Sequence, residues 1–235
     1  MEQHTRFEFK YVMDPNRAQA IHSRLLHFGM KADPRALQIH ASGSYPVTSL
    51  YFDTPTLEDY ADKAGGFLHR KKIRVRIYQP FLTDKTPEIW LEKKEKYEML
   101  VSKKRVLLSE KNYQELLYGP RIDLVKNHPI FLPLMIYGMK PIVAVRYVRY
   151  PLIASHQSSL RITFDSNIEA CAARDLREIP FMERVTDSTV MEVKFSYTLP
   201  HWFRLLLCEF DISRTAFSKY GRSVETIYRY HPVPR

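Results

Sequence analysis

Residues 70–76 read RKKIRVR, and this stretch decides the fold. Successive side chains on a β-strand point to opposite faces. A strand here therefore puts Arg70, Lys72, Arg74 and Arg76 on one face and its apolar residues on the other. The pattern recurs outward along the chain. RFEFK carries Arg6, Glu8 and Lys10; WLEKK carries Glu92 and Lys94; RITFD carries Arg161, Thr163 and Asp165; VMEVKF carries Glu192 and Lys194. One alternating strand would mean little, because half-exposed strands commonly alternate. A set of them, richer in Arg and Lys than in Glu, predicts a closed or strongly curved sheet with a cationic interior. Such an interior suits a polyanion.

The remaining composition narrows the class. The 235 residues fit one large domain, and a 45% hydrophobic content supplies a substantial core. The formal charge of +10 implies attraction to phosphates, nucleic acid or an anionic membrane surface without choosing among them. Cys171 and Cys208 form neither a metal cluster nor a disulfide framework, which points to a reducing compartment. The longest apolar stretch, Pro129 to Met139, is interrupted by Pro133 and falls short of the roughly 20 residues that span a bilayer. The first residues have no apolar core of a signal peptide. A cytoplasmic location and no membrane segment are expected.

Turn and capping residues divide the chain. Thr5 to Met13 reads as a strand. Asp14-Pro15 opens a helix that Gly29 stops. Tyr45 to Asp53 is a strand, and Thr54-Pro55 begins a short helix through Tyr60. Phe67 to Gln79, Pro87 to Lys96 and Glu98 to Leu108 form a three-stranded meander, after which Ser109 caps a helix through Tyr118. Pro120 to Met139 reads as one or two short helices. Pro141 to Ala154, Leu160 to Asp165 and Thr189 to Tyr197 are strands. Helix over Pro200 to Leu207, a short strand over Glu209 to Ile212 and a closing helix over Arg214 to Tyr230 complete the chain. The expectation is one α+β domain over residues 1–235, an antiparallel β-barrel or tunnel with helices packed outside.

RFEFKY, SLYFDT, RKKIRVRIY, WLEKKE, AVRYVRY, LRITFD, VMEVKF and FSKYGRS stand in this order in the chain. Together they resemble the VTC-type polyphosphate polymerase domain of the CYTH, or triphosphate tunnel metalloenzyme, superfamily. The resemblance runs from about Arg6 to about Glu225. It implies a tunnel of antiparallel strands in which Lys10, Arg74, Arg76, Lys94, Arg149 and Arg161 hold the phosphates. It further implies that Arg6, Tyr147, Lys194, Ser218 and Lys219 contact substrate. Glu192, with Glu8, would hold Mn²⁺ or Mg²⁺, and ATP and inorganic polyphosphate would be the bound partners. Two positions depart from the pattern. Hydrolytic relatives begin Glu-x-Glu-x-Lys, whereas here the first position is Arg6, which favours the polymerase branch. The polymerases usually carry a lysine two residues before Ser218, and here Ala216 stands there, with Arg214 or Arg222 as candidates to compensate.

The residue chemistry agrees with that implication. Phosphoryl transfer depends on positioning and charge neutralisation, and a terminal phosphate attacks without a protein nucleophile. Arginine grips two phosphate oxygens at once, while lysine acts as a movable point charge. Hard cations accept oxygen ligands from substrate, so few protein carboxylates are required. The nine histidines show no tight metal spacing, and no nucleophile-elbow motif is present. At this level Glu8 reads equally as a metal ligand or as a salt-bridge partner of Lys10, and Tyr147 as barrel packing or a ligand contact. Lys71, Lys93, Lys103 and Lys104 read as an outer, solvated set. The activity expected is transfer of the γ-phosphate of ATP to a polyphosphate chain. A triphosphate hydrolase and a non-catalytic polyphosphate- or nucleotide-binding module are the alternatives. Nucleic acid is not an expected partner, because no RNP motif with stacking aromatics is present.

Overall fold

A computed structural model of the protein describes residues 7–98, 100–154 and 160–229. Among these are ten strands and eight α-helices. The strands are β1 (Phe7–Met13), β2 (Met30–Ala32), β3 (Tyr45–Asp53), β4 (His69–Ile77), β5 (Ile89–Tyr97), β6 (Leu100–Leu108), β7 (Lys140–Ala154), β8 (Arg161–Ala172), β9 (Glu183–Thr186) and β10 (Thr189–Phe195). The helices are α1 (Pro15–His27), α2 (Pro34–Ile39), α3 (Glu58–Ala64), α4 (Glu110–Tyr118), α5 (Ile122–Asn127), α6 (Pro133–Ile136), α7 (His201–Glu209) and α8 (Lys219–Tyr228). Hydrogen bonding orders the strands β1-β10-β8-β7-β3-β4-β5-β6, with β2 on β7 and β9 on β8. The expected α+β class and the large antiparallel sheet are observed. The path has ends at β1 and β6, so the closed barrel expected from the sequence is not formed by strand pairing among the described residues.

The described residues fall into two compact units. The first is drawn from Met1–Pro46, Tyr147–Ile168 and Thr186–Ser218, the second from Val47–Arg146, Glu169–Val185 and Lys219–Arg235. In the first unit, β10 lies between β1 and β8, with Lys10 opposite Glu192 and Glu192 opposite Thr163. One face of these strands carries Tyr11, Met13, Ile162, Phe164, Met191, Val193 and Phe195. That face forms a core with Ile21 and Leu25 of α1 and Phe203 and Leu206 of α7. In the second unit, Leu50, Phe52, Ile73, Val75, Ile77, Ile89, Leu91 and Leu108 form the apolar face, covered by Tyr113 and Leu116 of α4, Leu124 of α5 and Leu134 of α6. Each fully buried Leu, Ile or Phe contributes about 1.5–3 kcal/mol. A one-residue slip would expose the whole set, so this burial locks which side chains occupy the other, polar face.

Local chemistry sets the element ends. Asp14 accepts a hydrogen bond from the Arg17 amide at 2.9 Å, with Pro15 in the first turn of α1. Gly29 leaves that helix at φ +81, a conformation side chains resist. Ser109 caps α4 by accepting from the Asn112 amide at 3.2 Å. Other expectations are corrected. The helix predicted from Thr54-Pro55 begins at Glu58, after Leu57 turns the chain at φ +57. The strand predicted over Glu209 to Ile212 is instead the end of α7 and a turn, in which Asp211 adopts φ +45. The closing helix begins at Lys219 rather than Arg214, and before it the Thr215 amide bonds to the Lys10 carbonyl at 2.8 Å. β2, α2 and β9 were not anticipated, and β8 runs on to Ala172.

Candidate functional site

Strand register builds a charged face in each unit. In the first, Glu8, Lys10, Glu192, Lys194, Arg161, Thr163 and Asp165 share the face opposite the core. Lys10 Nζ lies 3.5 Å from Glu8 and 3.7 Å from Glu192, and donates to the Phe217 carbonyl at 3.0 Å. Lys194 bridges the same two carboxylates, at 3.9 Å from Glu8 and 3.7 Å from Glu192. Arg149 of β7 makes a two-pronged pair with buried Asp165, both bonds 2.7 Å, and reaches Glu192 at 3.4 Å. Burial alone would make Arg149 easier to deprotonate, but Asp165, Tyr147 and Glu192 outweigh it and hold the guanidinium firmly charged. The buried Tyr147 ring lies 5.3 Å from the Arg149 guanidinium carbon.

The second unit places Ser49 and Tyr51 of β3, Lys72, Arg74 and Arg76 of β4, Glu92 and Lys94 of β5, and Lys103 and Arg105 of β6 on its polar face. Glu92, 1% exposed, is the hub: Arg74 donates to it at 2.7 and 2.9 Å, Lys103 approaches to 2.5 Å and Arg76 to 3.9 Å. Burial opposes ionisation of Glu92, but Arg74, Arg76 and Lys103 override it and hold the carboxyl well below its ordinary range. Lys103 is pushed down to about 7 by burial and by Arg74 and Arg76, against the opposing pull of Glu92. On the same face Lys72, Lys94 and Lys103 stand directly opposite one another across β4, β5 and β6. The register thus concentrates positive charge on one stretch of this face.

A family model describing the VTC domain matches residues 5–228. The chain belongs to the VTC domain family. Two solved structures share its fold. A candidate adenylate cyclase from Bacillus halodurans is 14% identical with a TM-score of 0.53, the match covering 93% of this chain and 96% of that one. A protein from Pyrococcus horikoshii OT3 is 12% identical with a TM-score of 0.52, covering 94% of this chain and 99% of that one. Among curated proteins, none matches the chain.

With the VTC assignment, each expected residue can be located. Lys10, Glu8, Arg149, Glu192, Lys194 and Tyr147 gather on the first unit's face. Arg161 shares that face by register but pairs instead with Asp33 at 2.9 Å, its side chain 45% exposed. Arg74, Arg76 and Lys94 gather on the second unit's face. Lys219 opens α8 in the second unit, and both it and Ser218, which closes the first unit, are buried. Arg6 lies outside the described residues. Neither candidate to compensate for Ala216 joins a charged face: Arg214 sits 4.7 Å from the ring of Phe9, and Arg222 is exposed and paired with Glu225 at 3.3 Å. Phe9 alternates with Glu8 and Lys10 onto the core side of β1.

Lys103 is a correction to the sequence reading, which placed it outside. Lys103 and Lys104 are adjacent and both charged, so alternation alone cannot choose between them. The hairpin through Glu98, with φ +52, fixes the register that puts Lys103 beside Glu92. Tyr51 and Ser49 were also not singled out, and Asp165 was placed on the charged face without a role. Their signal was the parity of SLYFDT and RITFD, where a hydroxyl or carboxylate falls opposite an arginine or glutamate strand.

The residues fit a hard divalent cation in a limited way. Among the described residues no group of three or more His, Cys, Asp or Glu side chains gathers as a metal site. Glu8 and Glu192 nevertheless offer carboxylate oxygens on one face, and the buried Thr163 hydroxyl opposite Glu192 has no hydrogen-bond partner among the described residues. Such a set would hold an ion that draws its other ligands from phosphate oxygens and water.

Proposed function

We propose that this chain is an ATP–polyphosphate phosphotransferase. The observation that carries the reading is the Lys72–Lys94–Lys103 row beside Arg74 and Arg76, a cation-rich face on which Glu92 pairs with Arg74, Arg76 and Lys103. The mixture of arginine forks and lysine point charges on one face matches a chain of phosphates. In the reaction, an oxygen of the terminal phosphate of polyphosphate attacks the γ-phosphorus of ATP. A new P–O–P link forms, the bond from the γ-phosphorus to the β–γ bridging oxygen breaks, and ADP leaves. Arg74, Arg76, Lys94 and Lys103 orient phosphates and offset charge as it redistributes over their oxygens. On the first unit's face, Lys10, Lys194 and Arg149 offer donors to phosphate, and Glu192 with Glu8 would hold Mn²⁺ or Mg²⁺. A bound ion would add charge neutralisation at phosphate oxygens. Membership of the VTC family and a fold shared with a candidate adenylate cyclase both support nucleotide chemistry.

The test is incubation of the purified chain with γ-labelled ATP, Mn²⁺ and a short polyphosphate primer, with products resolved on a gel. The proposal expects a ladder of lengthening labelled chains with matching ADP. Labelled free phosphate without a ladder would replace it with a triphosphate hydrolase. Neither product, despite tight binding of tripolyphosphate, would replace it with a binding module.

A further inference from the structure

Two hydroxyl side chains of β3 face the arginines of β4 in register, Ser49 opposite Arg76 and Tyr51 opposite Arg74. Each accepts a hydrogen bond: Ser49 Oγ from Arg76 Nε at 3.1 Å, and Tyr51 Oη from Arg74 Nη1 at 2.8 Å. A phenol has one proton to donate besides its acceptor lone pairs. With Arg74 on a lone pair, the Tyr51 proton remains to be donated, and among the described residues no group accepts it. Tyr51 is 4% exposed, so bulk water is a poor partner. A buried donor without an acceptor is costly. The ring is also held in place. It stacks on Tyr220 with centroids 5.0 Å apart and planes at 25°, and the Tyr220 hydroxyl is bonded to Asp53, which is 0% exposed. Asp53 in turn accepts the amides of Thr54, Asp59 and Tyr60 at 2.7, 3.0 and 3.0 Å, so its orientation is fixed by the start of α3.

We infer that Tyr51 is a further phosphate-binding residue, its hydroxyl donating to a non-bridging oxygen of the phosphate chain held by Arg74 and Arg76. The inference rests on the phosphate-binding reading of this face. Arg74 serves both ends of the arrangement, fixing the phenol oxygen through one nitrogen and Glu92 through two others. Tyr220 and Asp53 act as positioning residues, because Tyr220 stacks on the Tyr51 ring and Asp53 holds the Tyr220 hydroxyl. The electrostatics agree: burial would raise the phenol, but Arg74, Arg76 and Lys219 outweigh it and hold Tyr51 below its ordinary value. A more acidic phenol is a stronger donor to an anion.

The experiment compares tripolyphosphate binding by calorimetric titration in the wild type, Tyr51→Phe and Lys103→Ala. It also follows tyrosinate absorbance on raising the pH, with and without tripolyphosphate. Tyr51→Phe should weaken binding about ten-fold or more, the loss of a hydrogen bond to a charged group. In the wild type, bound tripolyphosphate should move the earliest-ionising tyrosine to higher pH. Unchanged affinity in Tyr51→Phe alongside weakened binding in Lys103→Ala overturns the Tyr51 assignment alone. Unchanged affinity in both overturns the phosphate face itself. Weakened binding in Tyr51→Phe with no ligand-dependent move of the wild-type tyrosinate would show that Tyr51 acts only by supporting Arg74, and overturns the direct contact. The absorbance measurement on the wild type stands even if Tyr51→Phe does not fold.

Discussion

Arg149 and Arg161 sit on neighbouring strands and were equal candidates in the sequence, yet their surroundings give them unequal weight. Arg149 neutralises Asp165, which is 0% exposed, so Arg149→Ala removes the two-pronged countercharge of a buried carboxylate. Its removal should cost about 3–5 kcal/mol of stability in urea unfolding. Arg161→Ala breaks a half-exposed pair with Asp33 and should cost less than about 1 kcal/mol. Lys103 carries a pH dependence. In the folded chain it is pushed down to about 7, from the ordinary lysine value of 10.5. Between those values the unfolded chain keeps a proton that the folded chain has released, so this lysine makes folding more favourable as pH rises. Its cost is complete below the folded value and fades as pH climbs toward the unfolded one. Thermal melts at pH 7 and pH 9 should show a rise in wild-type stability relative to Lys103→Met; a parallel response of the two proteins would refute the shift.

The row formed by Lys72, Lys94 and Lys103 belongs to the scale of elements, because register rather than any one residue creates it. Replacing the middle lysine, Lys94→Met, should raise the melting stability of the ligand-free chain by a few tenths to about 1 kcal/mol. The same variant should bind tripolyphosphate more weakly. Gain of stability with loss of binding marks a site that trades one for the other, and loss of both would argue that the row is structural. Ser109→Ala, at the start of α4 and away from the charged faces, should cost about 1 kcal/mol without altering binding.

Elements with a local cause were legible in the sequence. α1 and α4 were marked by Asp14-Pro15 and Ser109, and β3 runs over the same residues, Tyr45 to Asp53, that alternation and flanking turns indicated. The sidedness of Lys10, Arg74, Arg76 and Glu192 was readable because each alternates with a buried apolar residue. What was not readable depends on partners distant in the chain. β2 is three residues long and exists through pairing with β7, and the side of β6 that carries Lys103 follows from its hairpin. Arg161 obeys the alternation, but its guanidinium is drawn away by Asp33, a residue that caps α2.

For the molecule as a whole, a formal charge of +10 supplies a long-range attraction that the charged faces make specific. Screening lengths fall from about 10 Å at 0.1 M salt to about 3 Å at 1 M, so affinity for polyphosphate should fall steeply over that range. Among the described residues no helix is long and apolar enough to cross a membrane. The central claim is that the polar face of the second unit, and not its general basicity, binds phosphate chains. Titration of tripolyphosphate into Lys94→Ala and Lys104→Ala tests it most directly, since Lys104 lies on the opposite side of the same strands. The account predicts that Lys94→Ala loses about ten-fold or more in affinity while Lys104→Ala binds like the wild type. Equal losses in the two variants would contradict it.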